Sequence, residues 1–480
     1  MQQLRSETAE LRERMPPVLS DRSFRFLWLA QIISQTAQNA ILYALIVMVL
    51  DLTDGSTAST SFIVFFFVVP TVVFGIFSGV LVDRWSKRRL LILTNIGRAV
   101  AATAFFFGRE HLWPLYITTV FFASFSQLFT TSTAASIPFM VTRKQLISAN
   151  TLFSGAFTVA QIAGLIILSP VIINVAGRGD LSTGVGALFV VAGAVFLVAA
   201  LLARLLPYIG NEGEDESHST FPGRAEMQGA VAEFGRALGS LRKDPVSSLA
   251  MAHITISSTL ILLFAVLVPK YMQAILKVGP EDAVAVFAPV AFGALIGLRA
   301  VPFMVGRWGK MSTVALGLFG IAICVSAMGL VETIANLLER TDSFNPFTEG
   351  NDRIFGLSIL VALTMLISGP MGFAYALVNT PAQTTLHERT PVEMRGRVIA
   401  SQMVMANGVA LIPLVVMGGI ADLYGVSSVV LAIGVLMALA AALTLYLDRR
   451  WVHSDTTPPA AAGDDLGEAR SAVSRSIDTT

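Results

Sequence analysis

Apolar runs of about 20 residues, each long enough to cross about 30 Å of hydrocarbon, recur along almost the whole chain. Six fall at 24–50, 58–82, 90–107, 113–137, 146–175 and 185–206. After a polar break come six more, at 246–274, 283–305, 312–331, 354–380, 398–420 and 426–447. Hydrocarbon offers no water to a backbone N–H or C=O, so each run must satisfy itself as a helix. The spacing predicts an all-α membrane protein of twelve transmembrane helices, arranged as two pseudo-symmetric six-helix bundles. Only 14% of the residues are charged, against roughly 25% in a soluble domain, so lipid is the solvent of this chain.

Lys and Arg fix the expected orientation. An even helix count puts both termini on one side, and 25 of the 33 basic residues fall on that side. Six lie in the opposite loops, and Arg98 and Arg299 lie within helices. By the positive-inside rule both termini are cytoplasmic, in a multi-pass protein of the inner (plasma) membrane. The first helix is too long for a cleaved signal peptide and is read as retained. The basic residues are thus explained by topology, and a net charge of +1 points to no nucleic-acid partner. The single cysteine, Cys324, allows neither an internal disulfide nor a thiolate metal site.

The pattern divides the chain into a segment 1–23, a first bundle 24–206, a linker 207–245, a second bundle 246–447 and a polar tail 448–480. Within the linker, Met227, Ala230, Val231, Phe234, Leu238 and Leu241 share one helix face, which predicts an amphipathic helix on the membrane surface. The tail is poor in apolar residues from Ser454 onward and is expected to be disordered. The second half repeats the first at an offset of 223: Gly306, Arg307, Trp308, Gly309 and Lys310 echo Asp83, Arg84, Trp85, Ser86 and Lys87. Gly306 stands where the first half has Asp83. Repeated halves are how carriers build a central site that rocking exposes to either side.

Residues 75–89 read GIFSGVLVDRWSKRR. Gly75 and Gly79 lie one turn apart on one helix face, where a neighbouring helix can approach closely. Asp83 follows one turn later, and Arg84, Lys87, Arg88 and Arg89 hold the loop at the anionic membrane surface. A carboxylate there suits the positive N-terminal end of an adjacent helix, making a latch that can open. With the six-plus-six pattern, the Gly79, Asp83, Arg84, Arg88 signature resembles the major facilitator superfamily. Three further stretches resemble its macrolide and siderophore efflux branch, which includes drug:proton antiporters. These are FRFLWLAQIIS opening helix one, Ala149, Asn150 and Leu152 opening helix five, and Arg395, Gly396 and Arg397 before helix eleven. The chain departs from that branch at Ala37 and Gln38, where many members carry Gly-Asp, and at Gly164, which Leu165 follows where many antiporters have proline.

The resemblance implies that helices one, four, seven and ten face a cavity. Gln31, Gln35 and Gln38 fall at i, i+4 and i+7 on helix one, a stripe that either binds substrate or joins helices. Helix four offers Ser124, Gln127 and Thr131, helix seven His253 and Ser257, and helix ten Ser368, Met371, Tyr375 and Asn379. The substrate-binding candidates are Gln31, Gln35, Gln38, Gln127, His253, Tyr375 and Asn379; the gate candidates are Gly79, Asp83, Arg84, Arg88, Arg98 and Arg397, with Asp83 against the start of helix eleven near Arg397. Arg98, deep in helix three, has no acidic residue at its depth. Arg299 can snorkel to a surface. His253 is the remaining intramembrane group suited to carrying a proton, since Asp83 and Asp422 sit at helix ends.

There is no Walker loop, no His/Cys metal cluster and no Ser-His-Asp arrangement, so neither catalysis nor a cofactor is implied. The expectation is a monomeric carrier with a small-molecule substrate and the lipid bilayer as its partners. It exports a lipophilic or amphiphilic compound by alternating access. The rival expectations are a lipid-handling carrier and a non-transporting sensor of the same fold.

Overall fold

The computed structural model describes residues 18–142, 145, 149, 152–153, 156–157, 159–161, 163–207, 228–229, 231–232, 235–236, 239, 244–279, 283–340, 353–354, 357–389 and 395–451. Among them are 12 helices long and apolar enough to cross a membrane. The first six are α1 (Arg22–Leu52), α2 (Thr57–Arg84), α3 (Lys87–Gly108), α4 (Leu112–Ser136), α5 (Val159–Gly177) and α6 (Leu181–Arg204). The second six are α7 (Pro245–Tyr271), α8 (Ala283–Trp308), α9 (Lys310–Gly329), α10 (Ile359–Arg389), α11 (Arg395–Tyr424) and α12 (Val426–Trp451).

Local chemistry sets several of the starts. Asp21 caps α1 by accepting from Phe24 N–H at 2.8 Å, and Asp180 caps α6 by accepting from Thr183 N–H at 2.9 Å. Asp244 caps α7 through the N–H groups of Val246 and Ser247, both at 3.3 Å. These caps expose the internal repeat. Asp21 and Asp244, Arg22 and Pro245, Lys87 and Lys310 are all separated by 223 residues, and each pair holds the same place at a helix start.

Lipid inverts the usual patterning. On α3 the exposed stripe is apolar, with Leu93, Val100 and Phe107, whereas Thr94, Asn95 and Arg98 are buried. Hydroxyls inside the helices bond to the carbonyl one turn back, as Thr94 does to Leu90 and Thr119 to Leu115. In the first bundle α3 packs on α4 and α6, with a ring cluster of Phe105, Phe122, Phe189 and Phe196 between them. Phe105 stacks on Phe189 at 5.4 Å, and Phe122 meets Phe196 at 5.8 Å. In the second bundle α9 packs on α10 and α12 around Leu318, Val325 and Val378, and Tyr271 O–H donates to the Met328 carbonyl at 3.0 Å. The short π stretch Ala163–Leu168 of α5 lies against α1, where a Cβ on Gly164 would strike the backbone at Thr36 and Ala40 and the side chain of Asn39.

Three of the differences from the expected helix ends bear on the site. Ile354 opens no helix: it lies in a two-residue strand, Arg353–Ile354, paired antiparallel with Leu357–Ser358, and α10 begins at Ile359. Hydropathy alone does not separate an apolar strand from a helix start. The eleventh helix runs on to Tyr424, which puts Asp422 in its last turn. A further short helix, Val331–Arg340, follows α9 with Val331 and Ala335 buried. Of the expected surface helix, the backbone is helical at 228–229, 231–232, 235–236 and 239, and Val231 is exposed. The rest of its apolar face, the tail beyond 451 and the side chains of Asp83 and Arg397 lie outside the described residues.

Candidate functional site

The two bundles meet along α2 and α11, which run antiparallel. At the far end of this seam, opposite the basic loop, Asp422 reaches across from α11 to the first turn of α2. Its Oδ1 accepts from Thr57 N–H at 2.7 Å, and its Oδ2 accepts from Ala58 N–H and from Ser56 O–H, both at 2.9 Å. One turn before it, Gly418 lies against Ser61, and a Cβ there would come within 3.0 Å of the Thr57 carbonyl. Lys270 at the end of α7 donates to the Gly55 carbonyl in the α1–α2 turn. Further along, a Cβ on Gly408 would be 3.7 Å from Val72, and one on Gly75 would be 2.9 Å from Val404. At Gly79, which is exposed, nothing among the described residues lies within 4 Å of a Cβ position. Among the described residues the seam is tight from Asp422 to Val404.

Within the first bundle a polar knot is built around Arg98, which is fully buried. One guanidinium nitrogen donates to Asn95 Oδ1 at 2.7 Å and the other to Gln38 Oε1 at 3.4 Å. Asn95 Oδ1 also accepts from Ser34 at 3.0 Å. Two rings face the guanidinium, Phe129 of α4 at 4.1 Å and Phe196 of α6 at 4.8 Å. Arg98 therefore ties α1, α3, α4 and α6 together, and among the described residues it forms no ion pair.

The other predicted polar residues divide by location. Gln31 and Gln35 are buried, and their side-chain oxygens meet no donor among the described residues. Gln38 is engaged by Arg98. Gln127 is half-buried beside the seam, its Nε2 3.8 Å from the Cβ position of Gly75. Tyr375 and Asn379 are half-buried on α10, with Tyr375 packed on the core of the second bundle. His253 is 1% exposed and turned toward α12, where Nε2 lies 2.9 Å from Thr444 Oγ1. That hydroxyl donates to the Ala440 carbonyl, so it accepts from Nε2–H and leaves Nδ1 an acceptor without a donor among the described residues.

At the basic end, Arg88 donates to the carbonyl of Arg204, the last residue of α6, at 2.6 Å, a cation at a helix C-terminus. Arg84 is half-buried, and Arg299 is exposed on α8. Asp244 forms an ion pair with Arg389 at 3.0 Å, and Lys310 pairs with Glu388. Partial burial pushes the Asp244 carboxyl up, but Ser247, Arg389 and the Val246 N–H together outweigh it and hold the group below its ordinary value. Asp422 was visible beforehand only as an acid at a helix end. The signal that finds it is Gly418-x-x-x-Asp422, the spacing of Gly79-x-x-x-Asp83.

Comparison with known proteins supplies the family. The model of the Major Facilitator Superfamily matches residues 27–342. The chain is 22% identical to an uncharacterised MFS-type transporter, YfiS, of Bacillus subtilis, over 82% of this chain and 85% of that one. It is 27% identical to the uncharacterised MFS-type transporter Rv0037c of Mycobacterium tuberculosis, over 58% of this chain and 63% of that one. Among solved structures, a mutant form of the nucleoside transporter NupG superposes with a TM-score of 0.66 at 12% identity, covering 88% of this chain and 99% of that one. The POT family transporter PepTSo superposes with a TM-score of 0.65 at 12% identity, covering 91% and 99%. At such identities the likeness concerns the fold, and it agrees with the family match. A twelve-helix membrane protein with these relatives is a transporter, and it belongs to the Major Facilitator Superfamily.

Proposed function

We propose that the protein moves a lipophilic or amphiphilic small molecule out of the cell by alternating access, as a monomer with no cofactor. The observation that carries this reading is the α2–α11 seam between the bundles, where Asp422 and Gly418 of one bundle grip the first turns of α2 on the other. Two bundles joined along such a seam can rock, exposing a site between them to each side in turn. The excess of Lys and Arg at the basic end supports a cytoplasmic position for that end and for both termini, in the plasma membrane. Export rather than uptake rests on the resemblance of FRFLWLAQIIS, Ala149 to Leu152 and Arg395 to Arg397 to the efflux branch.

The guest is held, on this reading, by Gln31, Gln35 and Gln127 of the first bundle and by His253, Tyr375 and Asn379 of the second, with Gln38 at the edge of the Arg98 knot. Gln31 and Gln35 carry buried amide oxygens that suit a donor on an otherwise apolar molecule. Met371 beside Tyr375 adds a surface that adapts to shape. The deciding experiment is efflux and counterflow in proteoliposomes against a compound panel, with and without a proton gradient. Saturable flux of lipophilic compounds supports the proposal. Lipid movement without compound flux would replace it with a lipid-handling carrier, and no flux of either kind with a sensor.

A further inference from the structure

We infer that Asp422 is the latch of the far gate: a carboxylate on one bundle that completes the first turn of a helix on the other, and so holds the transporter closed at that end. The inference rests on the alternating-access reading and adds a residue to it. Any helix begins with backbone N–H groups that have no partner inside the helix. On α2 the local sequence satisfies only part of this demand. Ser56 Oγ takes the N–H of Ser59 at 3.2 Å, and the Ser56 carbonyl takes that of Thr60 at 3.3 Å. The N–H groups of Thr57 and Ala58 are taken by Asp422, which also accepts from the Ser56 hydroxyl. The missing half of the cap is thus supplied from 364 residues away, on the opposite bundle.

Three features make this contact a latch rather than a fixed joint. The carboxylate lies at the positive end of α2, so attraction by the helix end adds to three charge-assisted hydrogen bonds. Ala58 and Ser56 sit where the contact is exposed, so water can take over both partners when the helices part. Gly418, one turn below, lets α11 approach until Ser61 and the Thr57 carbonyl fill the space a side chain would need. The neighbouring charge of Lys270 is directed to the Gly55 carbonyl, a second bridge between the bundles at the same end.

The geometry also assigns the seam two opposed ends. Because α2 and α11 are antiparallel, Gly79-x-x-x-Asp83 lies at the basic end of α2 while Gly418-x-x-x-Asp422 lies at the far end of α11. Asp422 lies at Thr57, near the start of α2, and the sequence spacing pairs Asp83 with the start of α11, near Arg397. Stiff bundles pivoting on the middle of the seam, near Gly408 and Val72, cannot close both ends at once.

Ser61 reports the far gate, because it is fully buried beneath Gly418. With Cys324→Ser removing the native thiol and Ser61→Cys placing a new one, the rate of maleimide labelling of purified protein in detergent measures far-end opening without any substrate. Asp422→Asn is expected to raise that rate about tenfold, within reach of a carboxylate at a helix end. Lys270→Met should raise it by a smaller factor, and Asp83→Asn should lower it. An Asp422→Asn rate equal to that of the parent overturns the latch. So does an equal increase in all three variants, which would mean general loosening. If Asp422→Asn does not yield monodisperse protein, unchanged labelling in Lys270→Met together with a rise in Asp83→Asn overturns it instead. A labelling response in a protein that transports no compound would keep the latch and discard the transport proposal.

Discussion

Arg98 illustrates why a charge inside lipid has to be judged by its surroundings. A guanidinium without a counter-ion costs several kcal/mol in hydrocarbon, and here two amide oxygens and two ring faces offset that cost. The planar fork matters, since it serves Asn95 and Gln38 while lying between Phe129 and Phe196. Arg98→Lys should therefore lower stability by about 2–4 kcal/mol, because it keeps the charge and loses both the fork and the stacking. Arg98→Met, which removes the charge, should cost less. Thermal unfolding in detergent checks the order, and a Met variant less stable than the Lys variant would contradict it. At the basic end, Asp244 makes a pH prediction. Its folded pKa lies below its ordinary 3.8, so its contribution to stability is full above that value and is lost as pH falls through the folded one. Asp244→Asn should flatten the acid limb of the stability curve, with Arg389→Gln moving it the same way. Both positions show how far residues could be read in advance. Arg98 and Gln38 were recognisable as polar and intramembrane, but their bond joins positions 60 apart, and no local pattern encodes it.

Helices were more legible than their ends, for a physical reason. The requirement that about 20 apolar residues cross the bilayer is spread over a whole run and survives individual exceptions. An end depends on one cap or one turn, such as Asp244 at α7 or the small strand pair that delays α10 to Ile359. The repeat was legible because the cap Asp21 recurs as Asp244, and the Asp83–Lys87 stretch as Gly306–Lys310, at the same offset. Helix pairing was not, because contacts between membrane helices rest on small residues whose partner cannot be named from one chain. Gly164 is such a case: it stood out in sequence as a departure from a family pattern, and in space it is where α5 touches the backbone of α1. Gly164→Val should cost about 1–3 kcal/mol by overpacking, seen as a lower unfolding temperature with substrate preference unchanged in whatever protein survives purification. Wild-type stability in that variant would mean that α5 can move away from α1 freely.

At the scale of the whole molecule the open question is what drives the cycle. Helices α1, α4, α7 and α10, which the family resemblance turns toward the cavity, carry only Asp51 and Glu388 as acids, both next to a helix end. Gln38 stands where many members of the efflux branch that the sequence resembles carry a carboxylate, and it is bound by Arg98. His253 is the buried titratable alternative. Yet its Nε2–H is spent on Thr444 of the same bundle, so its proton helps to hold α7 against α12 and does not bridge the two halves. The expected outcome is transport that does not depend on a proton gradient. Collapsing the gradient across proteoliposomes should leave wild-type flux within about twofold, and His253→Gln, whose amide can still donate to Thr444, should behave as wild type in the same assay. Gradient-driven accumulation that disappears in His253→Gln while downhill exchange persists would make the histidine the proton carrier. Accumulation that persists in that variant would turn the search to the two acids at opposite ends of the seam. There Asp422 is already bound by three donors, and taking up a proton would weaken its hold on α2, joining gating and coupling in one carboxylate.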